Sequence, residues 1–480
     1  MKKRFVALLA VLGLTVGAMQ LPGGSRAAAA PETSAAPPPN FIVIYAEAAG
    51  WVSSSVQMDD RMPASRGTGH RTPNIERLAN AGMRFSDGYA ASPRCTPSRA
   101  AVFTGRSPAA LHMTFVGTGE SASDRPVTTR VIPVKASTEL PVEETTIGGL
   151  LKRRGYATAH FGKWHVGHID PSRYGFDESD GPTSNGGPEN VANPNPKQAL
   201  AMTAKGISFM ERQAKAHKPF YLQMSHYPNS ALKNPNASDE ELSLLDNTIG
   251  QILDAVDRLG IRDNTYIVYT SDHGGQGKNL PLTGGKGSVW EGGIRVPFLV
   301  SGPSIKAGAV SHVRVTGMDL FPTFAALAGV TEPLPKGVEG GSLLPVLTTG
   351  GTGTVQRPRE EFVVHFPHYD KDTQGPASAI LLGNYKLTRV YETGQLKLFD
   401  VSKDVVEHND LAKQMPEKVA ELDARLTAYL TAVNAQMPTL NSPANTTTDA
   451  SSLPGDRKAG GMGGGKGGGM AAKTGGGSGN

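Results

Sequence analysis

The run Phe41-Ile42-Val43-Ile44-Tyr45-Ala46 leaves this chain few choices of architecture. No polar side chain interrupts it, so neither face suits water, and it predicts a strand buried on both sides by helices. Phe220-Tyr221-Leu222-Gln223-Met224 and Thr265-Tyr266-Ile267-Val268-Tyr269-Thr270 repeat the pattern. Between them, Ser238 and Glu241 form a capping box, and Leu242, Leu245, Ile249, Ile252, Leu253 and Val256 follow at helical spacing. These segments predict an α/β fold with a large central sheet flanked by helices. In such folds the chemistry gathers at loops that follow strand ends.

Composition shifts divide the 480 residues. Met1-Lys2-Lys3-Arg4, an apolar stretch broken by Gly13 and Gly17, and small residues at 27–30 form the three parts of a signal peptide over 1–30. That stretch is too short to span a bilayer, and no later one is longer, so the expectation is an exported protein, periplasmic or secreted, without a stable membrane span. Residues 31–39 are a proline and alanine linker, and 40–348 the main α/β domain. Residues 349–436 read as a smaller C-terminal α+β subdomain, with short strands and a helix carrying Val419, Leu422, Leu426 and Leu430. The glycine-rich remainder, 437–480, is expected to be disordered. A formal charge of +5 without a basic stripe argues against nucleic acid as a partner. Oligomeric state is not encoded in any recognisable pattern.

Cys95 is the only cysteine, so an exported chain of this kind has no internal disulfide. It stands in Ser92-Pro93-Arg94-Cys95-Thr96-Pro97-Ser98-Arg99, ahead of a helical segment that begins near Arg99. Flanking arginines and a helix N-terminus favour a thiolate and an anion site; an incidental loop cysteine is the plainer reading. Glu47 follows the first strand, and Lys163 and His165 alternate about Trp164 in a loop predicted to be extended. Asp272 and His273 end the strand 265–270, fit for a metal or for an ordinary hydrogen-bonded turn. Lys286 sits in a loop whose glycines allow close approach of a ligand.

Taken together, Cys95-Thr96-Pro97-Ser98-Arg99, Gly162-Lys163-Trp164-His165, Ser271-Asp272-His273-Gly274 and the stretch from Lys286-Gly287 to Arg295-Val296-Pro297 resemble, in order, the motifs of the arylsulfatase-like sulfatase family. The resemblance covers about residues 39 to 412. It implies an alkaline phosphatase-like fold with a mixed sheet, and a sulfatase acting on a sulfated small molecule or glycan. A formylglycine-generating maturation enzyme would convert Cys95 to formylglycine, whose hydrate attacks sulfur. Arg99 would hold the modified residue, Lys163 and Lys286 the sulfate oxygens, and His165 would orient or deprotonate the hydrate. One Ca2+ ion would be held by Asp272, His273, Glu47 and residue 95.

Two positions depart from the pattern that the resemblance implies. Glu47-Ala48 stands where two adjacent aspartates would bind the metal, and Asp59 and Asp60 lie too far along to be that pair. Pro228-Asn229 stands where a histidine would protonate the leaving oxygen, with His226 nearby. The alternative to an active enzyme is therefore a sulfatase-like protein that binds sulfated or anionic ligands without turnover. A phosphatase or phosphonate hydrolase is a minor third option on the same fold. The loops 117–134 and 181–196, which would recognise the alcohol, carry no readable pattern.

Overall fold

The computed structural model describes residues 37–69, 71–118, 129–187, 198–227, 239–276, 279–370 and 374–441, without side chains at 239–242. The leader, Pro228, Asn229, Ser238 and most of the tail lie outside these residues. From Pro38 onward the chain forms one unit. Its strands in chain order are β1 (Asn40–Ala46), β2 (Met83–Phe85), β3 (Gly88–Tyr89), β4 (Val131–Ile132), β5 (Ala157–Gly162), β6 (Glu178–Ser179), β7 (Phe220–Ser225), β8 (Thr265–Ser271), β9 (Phe298–Ser301), β10 (Ala309–Ser311), β11 (Val315–Thr316), β12 (Phe362–Phe366), β13 (Ala377–Leu382), β14 (Tyr385–Val390), β15 (Leu396–Asp400) and β16 (Thr439–Leu440).

The central sheet has eight strands in the order β10-β2-β9-β8-β1-β7-β5-β6. It is mixed: β1 pairs in parallel with β7 and β8, whereas β9 runs antiparallel to β8 and β2. The predicted strand is its centre. Phe41, Val43 and Tyr45 enter one hydrophobic core, and Ile42, Ile44 and Ala46 enter the other. Burying each such large aliphatic side chain contributes about 1.5–3 kcal/mol, so an apolar run is the stable choice for a strand covered on both faces. Leu245, Ile249, Ile252, Leu253 and Val256, on the helix Asp239–Arg258, face the second core as their spacing predicts.

Register places the site. Tyr45 is opposite Ser225, Ala46 opposite Ser271, and Gly162 opposite Ser225, so β1, β5, β7 and β8 end level. The residues that follow them, Glu47, Lys163, His226 and Asp272-His273, therefore leave the sheet at one edge. A second sheet, β12-β13-β14-β15, is antiparallel and packs on the helix Pro416–Ala432 through Leu422 and Leu426. One part of the expected disordered tail is ordered: Thr439–Leu440 pairs as β16 with β4. Two backbone-paired residues need no hydrophobic period, which is why composition passes over them. Among the described residues, no helix is long and apolar enough to cross a membrane.

Candidate active site

Cys95 opens the first turn of helix α1 (Cys95–Thr104). The helix thus starts four residues before the sequence suggests, because Pro97 falls in the first turn, where a missing N–H costs nothing. The thiol is buried at 3% exposure. Its Sγ lies 3.2 Å from Glu47 Oε1, 3.2 Å from His273 Nε2 and 3.3 Å from Lys286 Nζ. Burial and the charge of Glu47 push its pKa up, but Lys163, His273 and Lys286 outweigh them and hold it well below the ordinary thiol value. Residue 95 is accordingly an anion site, not an inert core cysteine.

Beneath it lies a buried ionic cluster. Arg99 donates to Glu47 Oε2 at 3.1 Å, to Asp272 Oδ2 at 3.0 Å and to the carbonyl of Lys163 at 2.6 Å. Lys163 Nζ donates to Glu47 Oε2 at 2.9 Å, and Lys286 Nζ approaches Glu47 Oε1 at 3.4 Å. Although burial raises the pKa of Glu47, Lys163 and Lys286 bring it down, so this carboxylate is ionised. Asp272 is pushed up to about 7 by burial and by Glu47. Its Oδ1 also accepts the Ala48 N–H at 2.9 Å. His273 Nδ1 is 2.8 Å from the Gly274 carbonyl, which can only accept; the proton is on Nδ1, and Nε2 turns towards Cys95.

Every residue predicted for the site is thus brought together: Cys95, Arg99, Lys163, His165, Lys286, Glu47, Asp272 and His273. The turn that carries Lys163 depends on Gly162, at φ +97°, where a Cβ would meet the Ser225 carbonyl oxygen at 1.9 Å. The extended loop expected at 163–165 is instead bent, since His165 has φ 57°. Burial lowers the pKa of its ring, and the nearby Cys95 partly offsets that lowering. Asp59 and Asp60 stay away from the cluster. Asp59 is paired with Arg61, and Asp60 lies 3.2 Å from His312.

Two contributors, Tyr45 and Asp370, have no sequence signal. Tyr45, in the apolar run of β1, lies under the Arg99 guanidinium, its ring centroid 5.2 Å from Cζ. Arg94 is held by Asp370, which is 276 residues away. His226 leaves β7 with its N–H on the Tyr45 carbonyl at 2.9 Å. Neither of its ring nitrogens has a partner, although the residue is buried. Tyr45 Oη, Arg99 Nε and His165 Nδ1 are likewise buried and unpartnered. Orphaned polar atoms so close together mark a place where a polar ligand belongs.

Comparison with known proteins agrees with this geometry. The sulfatase family profile matches residues 39–330, and the profile described as N-sulphoglucosamine sulphohydrolase, C-terminal, matches 285–436. N-acetylgalactosamine-6-sulfatase of Homo sapiens is 32% identical over 376 residues, 68% of this chain and 68% of that protein. Arylsulfatase A of Homo sapiens is 29% identical over 405 residues, 72% of this chain and 74% of that protein. Among solved structures, Ps i-CgsB in complex with k-i-k-neocarrahexaose superposes with a TM-score of 0.66 at 24% identity, covering 82% of this chain and 92% of that one. A structure in complex with its substrate D-glucosamine-2-N,6-O-disulfate gives 0.60 at 19% identity, covering 82% and 98%. At such identities these two bear on the fold, while the profile and the curated relatives bear on descent. The chain belongs to the sulfatase family and is a sulfuric ester hydrolase.

Proposed function

We propose that this sulfatase works through a formylglycine made from Cys95, and that it is exported and acts on a sulfated glycan or small sulfate ester. The carrying observation is the sulfur of Cys95 held within 3.3 Å of Glu47, His273 and Lys286 above Arg99. In the hydrated aldehyde, one hydroxyl oxygen loses its proton as it forms a bond to sulfur, while the bond from sulfur to the substrate alcohol oxygen breaks and that oxygen gains a proton. The second hydroxyl then loses its proton, its oxygen closes the carbonyl, and the bond from carbon to the sulfate oxygen breaks. Sulfate leaves, and water restores the hydrate. His165 is placed to take the proton, and Lys163 and Lys286 to stabilise charge on the sulfate oxygens. His226 is the side chain available to protonate the leaving oxygen, in place of Asn229, which lies outside the described residues.

The family also implies a divalent cation, which supplies charge beside the sulfate. Glu47, Asp272, His273 and residue 95 would face it, each offering an atom within 4.8 Å of the others. As a calcium site they do not fit. Calcium takes six to eight oxygen ligands, and here two carboxylates, an imidazole and a sulfur are on offer, with both carboxylates bound to arginine or lysine. No step above passes through a metal.

Co-expression with a formylglycine-generating enzyme, mass spectrometry of the peptide containing residue 95 and an aryl sulfate assay test the reading. The expected result is the mass change of formylglycine with turnover that Cys95→Ala abolishes. Ligand binding with an unmodified thiol and no turnover would establish the non-catalytic alternative instead. Export is checked by sequencing the N-terminus of protein recovered outside the cytoplasm, where the leader should be missing.

A further inference from the structure

We infer that this site holds its sulfate with protein cations alone, and that no divalent ion sits between Glu47 and Asp272. The inference rests on the proposed conversion of Cys95 and on a sulfate ester as the ligand. Its first support is charge. Arg99, Lys163 and Lys286 are three cations already gathered on the Glu47 and Asp272 carboxyl groups. A sulfate monoester brings one negative charge that these cations can hold. A divalent ion would add two positive charges among three fixed cations, in a buried site where such repulsion is poorly screened.

The second support is the use of lone pairs. Glu47 Oε2 accepts from Lys163 at 2.9 Å and from Arg99 at 3.1 Å, and Oε1 faces Lys286 at 3.4 Å. Asp272 Oδ2 accepts from Arg99 at 3.0 Å and Oδ1 from the Ala48 N–H at 2.9 Å. Position 48 adds no oxygen. Its φ of 57° is left-handed, a conformation that Asp and Asn adopt more readily than Ala. Zinc could draw four ligands from nitrogen, sulfur and oxygen, but the sulfur is lost on conversion and Lys163 already holds Glu47.

The test is metal content and melting temperature of the matured full chain. The protein is incubated with calcium, magnesium or zinc, dialysed, and measured by plasma mass spectrometry; melting is followed with millimolar calcium and with EDTA. Substoichiometric metal and an unchanged melting temperature are expected, because a ligand that binds only the folded state would raise it. One equivalent of ion retained per chain, or a melting temperature that rises with calcium and falls with EDTA, overturns the inference. The triple variant Glu47→Asp, Ala48→Asp, His273→Asn supplies oxygen donors and should gain a calcium-dependent rise in melting temperature. If it fails to fold, the wild-type measurement still decides. Neither readout needs turnover, so an inactive but metal-free protein would sink the proposed chemistry and leave this inference standing.

Discussion

At the scale of residues, His226 and Lys163 are the side chains whose roles separate most cleanly. His226 is held neutral, its pKa lowered to about 4 by burial and the positive charge of Arg99. A bound sulfate ester places negative charge beside it and makes protonation easier. We expect His226→Gln to slow hydrolysis of unactivated alkyl sulfates by about 100 to 10,000-fold, the usual worth of general acid catalysis. A nitrophenyl sulfate, whose alcohol leaves unaided, should be affected far less; equal losses on both substrates would remove the acid role. Lys163→Met should instead lower turnover of both esters alike, since it takes away charge stabilisation of the sulfate. Equal rates for Lys163→Met and wild type would remove Lys163 from the mechanism. Most of this site is legible in the sequence because its chemistry comes as short strings: Cys95 with Arg99, Lys163 with His165, and Asp272 with His273. Tyr45 and Asp370 are not, since one is hidden in an apolar strand and the other meets Arg94 only after the chain has folded.

At the scale of elements, the loop that carries Lys286 is tied to the C-terminal sheet by buried charge. Lys386, on β14, reaches Glu291 Oε1 at 2.9 Å and Glu407 Oε1 at 2.8 Å. Arg295 closes on Glu291 from the other side at 2.6 Å. Removing one partner of such a buried set leaves a charge unpaired, so Lys386→Met should cost about 3–5 kcal/mol in urea unfolding. Lys386→Met with Glu407→Gln should regain part of that loss; no difference between single and double variants would mean that the charges are not coupled. The α/β framework of β1, β7 and β8 was predictable from apolar runs, for which the solvent pattern suffices. The start of helix α1 shifted by a few residues, because Pro97 obeys local geometry that hydrophobic patterning does not contain.

At the scale of the whole molecule, four histidines are buried without charge. Burial lowers His160 and His368 to about 3 and His226 and His365 to about 4, from an ordinary 6.5. Unfolding restores the ordinary value, so below about pH 6.5 the unfolded chain binds more protons than the folded one. Stability should therefore fall as pH is lowered from about 6.5 towards 4, and urea midpoints measured across that window should decline; a flat profile would show that these rings are hydrated or charged in the native state. The pairing of Arg94 with Asp370 has a consequence for biosynthesis. It clamps the residue beside Cys95 to a side chain made 276 residues later, which also packs against Gly287 beside Lys286. If Cys95 is converted as proposed, a maturation enzyme would have to reach it before that clamp forms, while the chain is still emerging or unfolded. On that proposal the order of synthesis sets aside an interval for the modification, and a fully folded chain that still carried a thiol would have missed it.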